Sequence, residues 1–416
     1  VWGCSLGRET TISTDKVLSG VRVLEVAAWT FVPSAGAVLA EWGAEVIKVE
    51  PRVGGDPQRG LVTSGIVDEG GSVNYMIEIP NRGKKSIGID LLTEGGQQVV
   101  YDLAKTCDVF LTSYLPERRK RMGIDVEDIR NANSNIVYVR GSGHGPIGPD
   151  ADKPGYDGVS YWSRGGIAVA LTEEHDELVR SRPAFGDLLG GMAIAGGIAA
   201  ALYKRLATGT GSVVDVSLLG LAAWNLGPDI ATSQIHGGSA VPRYGHADAP
   251  NPLVGNYRTK DGRYVTLMML QLDKFFAEAM RVVGLPELVD NPLFADPVAR
   301  FDNRSALIAL LDKAFAQHTL SEWRTILSDL SGAWGVVQTA GEVCVDPAVT
   351  ANGYIARTTT TTGVPYALPV NPVQFDQQHV VPTGAPEHGQ HTEEILLATG
   401  MDWDKIEHYK STGAIL

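Results

Sequence analysis

The sequence predicts an α/β protein, a doubly wound parallel sheet joined to a smaller α+β unit. Two observations carry this. Short apolar runs rich in β-branched residues alternate with helix-period patterns through the first half of the chain, and that alternation requires crossover helices covering both faces of a parallel sheet. Further on, a Gly/Pro/His-rich stretch without periodicity, residues 237–252, separates this half from a hairpin and several helices.

Element by element, residues 21–26 read as a strand, 35–42 as a helix and 45–49 as a strand, which is βαβ grammar. The pattern recurs as a helix over 93–105, a strand over 108–112, a short helix over 126–132 and a strand over 136–140. The most apolar segment, 188–203, falls short of the ~20 residues needed to span a bilayer and is bracketed by Asp187 and Lys204, so it reads as a buried helix. A strand follows at 212–218. In the smaller unit, 257–265 forms a hairpin turning at Asp261-Gly262, a pair that tolerates positive φ. Helices come next at 272–283, 304–318 and 321–330, the last capped by Thr319 or Ser321. From 351 the chain becomes Thr/Pro-rich, and a helix with a charged face starts near His391.

Composition narrows function. With 35 Lys and Arg against 48 Asp and Glu, the formal charge of -13 argues against sequence-independent binding to nucleic acid or to acidic membranes. Three widely spaced cysteines, Cys4, Cys107 and Cys344, offer neither a disulfide framework nor a zinc site and fit a reducing cytoplasm. Residues 1–16 lack the continuous apolar stretch of a signal peptide and read as a mobile arm. Gly143-His144-Gly145-Pro146-Ile147-Gly148 matches GxGxxG, yet Pro146, Pro149 and the charged run after them preclude the helix that would hold a pyrophosphate. A nicotinamide or flavin site is therefore disfavoured. No histidine pair has metal-ligand spacing, and no metal is assigned.

The feature with most chemical content is Phe185-Gly186-Asp187-Leu188-Leu189-Gly190-Gly191, a lone carboxylate between glycines ahead of the long apolar helix. Two roles fit Asp187. It can cap the helix, or act as a nucleophile kept ionised by the helix N-terminus, and the two are compatible. The glycines serve close helix packing or present N–H donors to a developing oxyanion, with Gly245 of the smaller unit a further candidate donor. Arg118-Arg119-Lys120-Arg121 is either a solvated helix face or, with Arg52, a phosphate site at the carboxyl ends of the strands. Tyr156 and Asp157 lie in a Gly/Pro loop that reads as a turn. Tyr161, Trp162 and Trp224 read better as core than as an acyl pocket.

Taken in order, these segments resemble the class III CoA-transferases and the related 2-methylacyl-CoA racemases. The resemblance rests on residues 18–25, 41–50, Asn81-Arg82-Gly83-Lys84-Lys85-Ser86, Arg121-Met122-Gly123, Pro154-Gly155-Tyr156-Asp157-Gly158 and Gly186-Asp187. It implies an interlocked homodimer, with a Rossmann-like CoA-binding domain over 17–236, a small α+β domain over 237–350 and a segment, 351–416, that returns to the large domain. It implies CoA thioesters and a small carboxylic acid as substrates, with no tightly bound cofactor. By position it implies Asp187 as nucleophile and Trp29, Thr30, Phe31, Arg52, Ile89, Ser113, Tyr114, Arg118, Arg121 and Tyr156 as CoA-lining residues. Similar racemases carry histidine where this chain has Tyr156, and tyrosine is a poor proton acceptor at neutral pH, so racemisation is disfavoured. The implied reaction is ping-pong exchange of CoA through an aspartyl anhydride and an aspartyl-CoA thioester. The alternatives are an acyl-CoA racemase using another base, and a CoA-binding protein without turnover.

Overall fold

The computed structural model describes residues 16–61, 73–173, 176–238, 241–242 and 244–416. The arm expected over 1–16 therefore lies, but for Lys16, outside the described residues. The chain divides into two compact units. One comprises the chain up to Val169 together with Val179–Ile230 and Ala348–Leu416; the other comprises Ala170–Leu178 and Ala231–Pro347.

The first unit is built on β1 (Arg22–Val26), α1 (Phe31–Glu41), β2 (Glu45–Pro51), α2 (Tyr75–Asn81), β3 (Lys85–Ile89), α3 (Glu94–Ala104), β4 (Val109–Thr112), α4 (Pro116–Met122), α5 (Val126–Ala132), β5 (Val137–Ser142), α6 (Ile167–Ala170), α7 (Phe185–Thr208), β6 (Val213–Ser217) and α8 (Leu218–Asn225). The six strands form one sheet in the order β3-β2-β1-β4-β5-β6, every pairing parallel. That order reverses between β1 and β4, as in doubly wound nucleotide-binding sheets. Both faces are covered, one by a core around Val23, Val32, Leu39 and Ile194, the other by a core around Leu24, Ile47, Phe110 and Tyr138. Strands buried on both sides explain why they read as continuous apolar runs rather than alternating ones.

Helix α7 runs 24 residues, longer than expected, and is long and apolar enough to cross a membrane by length and composition. The expectation of a buried helix needs correction. One side, including Gly190, Gly191, Ile194 and Ile198, packs inward, while Leu188, Leu189, Tyr203 and Leu206 are exposed. The close side meets α1 through glycines: a Cβ on Gly190 would lie 2.3 Å from Cε2 of Phe31, and one on Gly191 2.0 Å from Oγ of Ser34.

The C-terminal segment belongs to the same unit. Helices Thr392–Ala398 and Trp403–Ser411 pack on the second core, and the tail lies along β3, where Asp90 N–H donates to the Ala414 carbonyl at 2.8 Å and Leu416 N–H to the Gly88 carbonyl at 3.0 Å. The tail thus covers a sheet edge that would otherwise present unpaired backbone groups.

The second unit holds a three-stranded antiparallel sheet of β7 (Val254–Arg258), β8 (Tyr264–Met268) and β9 (Trp334–Val336). Its hairpin turns at Gly262 with φ +75°, as the Asp-Gly pair predicts. Helices Leu272–Val282, Arg304–Phe315 and Leu320–Ile326 close over Tyr257, Phe315 and Trp323; Tyr257 stacks on Phe315 with centroids 4.9 Å apart, and Trp323 lies tilted against Phe315 at 4.5 Å. Thr319 caps the last helix in a capping box with Glu322.

Beneath the carboxyl end of β1 lies a buried ionic lattice. Lys84 Nζ donates to both Glu25 oxygens at 2.8 and 2.7 Å, and Lys48 Nζ contacts Glu25 at 3.3 Å and Asp56 at 2.9 Å. The side chains in these pairs are removed from solvent. Removing one member of a buried ion pair strands the others, at a cost of roughly 3–5 kcal/mol. Glu25→Gln should accordingly lower unfolding free energy by about that amount, measured by urea denaturation; a loss below roughly 1 kcal/mol would show that the lattice contributes little.

Candidate active site

In an open parallel sheet, ligands gather outside the carboxyl ends of the strands where the order reverses, here between β1 and β4. The loops leaving those strands are joined by Ser113, whose hydroxyl accepts the Ala28 N–H at 3.1 Å and donates to the Ala28 carbonyl at 3.4 Å. Trp29 follows in the left-handed region, φ 70°, which for a bulky residue costs about 1–3 kcal/mol and requires its surroundings to hold it. Its indole meets the exposed Tyr156 ring edge to face, centroids 5.7 Å apart. Thr30 is buried, bonded to Gln58, and Phe31 is buried in the α1–α7 contact.

Beside these loops a cleft of about 170 Å³ collects Arg52, Ile89, Tyr114 and Arg118, together with Pro51 and Met122. Arg118 lies over the Tyr114 ring with its guanidinium carbon 4.9 Å from the centroid, and Arg52 Nε donates to the Ile415 carbonyl at 3.0 Å. Within the cationic run the roles divide. Arg119 is buried, bonded to the Tyr114 carbonyl at 2.8 Å and paired with Asp125 at 3.0 Å, whereas Arg118 and Arg121 are exposed. Ile89 is nearly inaccessible and contributes wall rather than contact area.

Asp187 is the third residue of α7, and it does not cap that helix. The N-cap is Ala184, held at φ 58°, and the capping function falls to Asp157, whose Oδ2 accepts the Gly186 N–H at 3.0 Å. Asp157 opens a seven-residue π-helix, Asp157–Ser163, so the stretch read as a simple turn delivers a buried carboxylate to the end of α7. The glycines prove steric. A Cβ on Gly186 would sit 2.4 Å from Cγ of Tyr161, and the close contacts of Gly190 and Gly191 are those with α1 described above. With the Gly186 N–H given to Asp157, and Gly190 and Gly191 inside the helix ladder, the expected oxyanion role for these glycines is not supported. Gly245, in the second unit, has φ −67° and open space where a Cβ would stand, so its backbone does not demand glycine.

Burial pushes the Asp187 carboxyl up to about 7, with the charge of Asp157 adding to the shift. Burial thus opposes the ionising influence anticipated from the helix N-terminus and favours the protonated form. Asp157 is raised as well by burial, opposed by the N–H groups of Gly186, Asp187 and Phe185. Of the three aromatic residues read as core, Tyr161 and Trp162 are buried, but Trp224 is exposed. The GxGxxG match at 143–148 is followed by turns and no helix. Among the described residues no group of three or more His, Cys, Asp or Glu is arranged to hold a metal.

A profile of CoA-transferase family III matches residues 18–392. The chain belongs to that family. It is 30% identical over 404 residues to (R)-2-hydroxy-4-methylpentanoate CoA-transferase of Clostridioides difficile, covering 96% of this chain and 99% of the relative. It is 30% identical over 389 residues to human succinyl-CoA:glutarate CoA-transferase, covering 93% and 87%. The fold matches that of a CAIB/BAIF family protein from Brucella suis with TM-score 0.79 and 28% identity over 92% of this chain and 99% of that one. This family III CoA-transferase therefore acts between acyl-CoA and carboxylates.

The raised carboxyl pKa has a consequence for stability. Between about pH 4 and pH 7 the folded chain holds a proton at Asp187 that the unfolded chain has released, so stability falls as pH rises through that window. Asp187→Asn removes the cost, and the variant should exceed the wild type at pH 8 by roughly 1–3 kcal/mol, since one pKa unit is worth about 1.4 kcal/mol and partial exposure reduces the effect. The difference should vanish near pH 4, as measured by denaturant titration at both pH values.

Proposed function

We propose that this enzyme moves CoA between two carboxylic acids through covalent intermediates on Asp187. The observation that carries the reading is a half-buried carboxyl at the start of α7 that is relieved of capping by Asp157 and raised toward neutral pH. Asp187, ionised, attacks the thioester carbonyl of the donor; its C–O bond forms, the C–S bond breaks and CoA leaves as thiolate, giving a mixed anhydride. The thiolate attacks the aspartyl carbonyl and expels the donor acid, leaving an aspartyl-CoA thioester. The acceptor carboxylate attacks that thioester, and the released thiolate then takes the acceptor's acyl carbon, freeing Asp187. Splitting the exchange in this way conserves the thioester's energy. A carboxylate with pKa near 7 is more basic than an ordinary aspartate, which favours attack.

CoA is assigned to the cleft at the β1/β4 switch point. Arg52 and Arg118 supply cations for its phosphates in an otherwise acidic chain, and Trp29, Tyr114 and Tyr156 supply apolar surface beside them. Tyr156 in place of a basic histidine favours acyl exchange over proton abstraction. Incubation with a panel of acyl-CoAs, quenching with hydroxylamine and peptide mass analysis should place the hydroxamate on Asp187; a productive donor that marks another residue would overturn the assignment.

The active enzyme is assigned as a homodimer. Trp224, Leu206 and Tyr203 are 83%, 83% and 76% exposed on α7 and α8, an apolar area that a single chain leaves uncovered. A second copy, as the family resemblance implies, would cover it. Light scattering should report a dimer, and Trp224→Glu should weaken it at least tenfold; an unchanged monomer, or a chain that partitions into lipid vesicles, would argue against a dimer contact there.

A further inference from the structure

The residues that carry the family resemblance in 18–25, 41–50 and 81–86 include charged groups that no step of the exchange uses, and the structure gathers them below the loop after β1. Asp56 is the lattice member that holds the Trp29 N–H of that loop. It is 1% exposed and its Oδ2 pairs with the Lys48 ammonium at 2.9 Å. Its own N–H donates to Glu50 Oε2 at 2.9 Å, while its Oδ1 accepts the N–H of Gln58 at 3.0 Å and the N–H of Trp29 at 3.3 Å. Lys48 reaches the same loop from below, donating to the Ala27 carbonyl at 3.1 Å.

Trp29 is one of the few non-glycine residues with positive φ among the described residues, at 70°. A tryptophan takes that conformation only where its surroundings enforce it. Its N–H is held by Asp56, the residue before it by both polar contacts of Ser113, and the residue after it by Gln58. The result is an indole set edge-on against Tyr156, the residue next to the carboxylate that caps the nucleophile's helix.

We propose that Asp56 is a positioning residue for CoA binding: anchored by Lys48, it holds Trp29 in the left-handed conformation and so fixes the indole–Tyr156 wall of the site. This rests on the reading of Trp29 and Tyr156 as CoA-lining residues. Asparagine at position 56 keeps an oxygen for the Trp29 N–H but loses the charge opposite Lys48; alanine loses both. A purely structural role would respond to the charge, whereas the positioning role responds to the acceptor oxygen.

The test is isothermal titration of the full chain with free CoA, alongside thermal unfolding. Asp56→Ala should weaken CoA binding about tenfold, and Asp56→Asn should recover most of it, although both variants lose thermal stability to a similar degree. In a Trp29→Gly background, which has no indole left to position, Asp56→Ala should have no further effect on CoA affinity. Equal weakening by alanine and asparagine, or unchanged affinity in the alanine variant, would overturn the proposal. If Asp56→Ala does not fold, hydrogen exchange of wild-type residues 27–32 decides: slow exchange at Trp29 supports the clamp, and exchange at the rate of an open loop refutes it. A wild type that binds no CoA would instead refute the reading of the site itself.

Discussion

Four charges shielded from solvent lie under the carboxyl end of β1, and the path of the loop that follows depends on them. Burying Glu25, Lys48, Asp56 and Lys84 forfeits hydration that their mutual attraction only partly returns, so an apolar cluster of equal volume would be at least as stable. What an apolar cluster lacks is direction. Lys48 and Lys84 spend donors on the Ala27 and Pro33 carbonyls, and Asp56 spends an acceptor on the Trp29 N–H. The lattice converts electrostatic energy into the path of one loop, at the place where strand order reverses.

Two neighbouring carboxylates then divide labour that a single one could not perform. A capping aspartate is bonded to helix N–H groups, which holds its charge in place and withdraws its electrons from attack. Asp157 takes that position, leaving Asp187 with burial and a like charge for company, both of which make its proton harder to lose. The same raised pKa that costs stability at neutral pH suits Asp187 to the nucleophilic role proposed for it, a trade common at active sites.

Much of this fold is legible in the sequence because its signals are local. The strands at 21–26, 45–49, 108–112, 136–140 and 212–218 all appear within a residue or two, as do the helix capped by Thr93 and the hairpin at Gly262. Features made by contacts between distant residues are not legible. Nothing near Asp157 announces that it caps a helix 28 residues later, because its partner is a backbone N–H with no side-chain signature. The π-helix hides for the same reason, as does the tail laid along β3. The charged residues among the resemblance segments are visible as residue types, but only the sheet register sets Glu25 opposite Lys48, with Lys84 joining them from the residue before β3. The run at 118–121 reads as uniform charge, yet helical geometry turns Arg119 inward and leaves Arg118 and Arg121 outside.

Helix α7 shows how one element answers opposing demands. Its close approach to α1 needs residues without a Cβ, and glycine costs about 1 kcal/mol relative to alanine at each helical position. Length compensates, because 24 residues spread the cost of nucleation and bury a full stripe against the first core. Only part of the glycine content answers to this chain's own packing: a Cβ at Gly197 would press on Val214 Cγ1 at 3.2 Å, but one at Gly196 would meet nothing within 4 Å. Bare helix surface next to exposed Tyr203 and Leu206 has no use in an isolated chain, where alanine would serve the helix better. The same absence of side chains would permit the close approach of a second helix face, which is what the proposed homodimer asks of the outer face of α7.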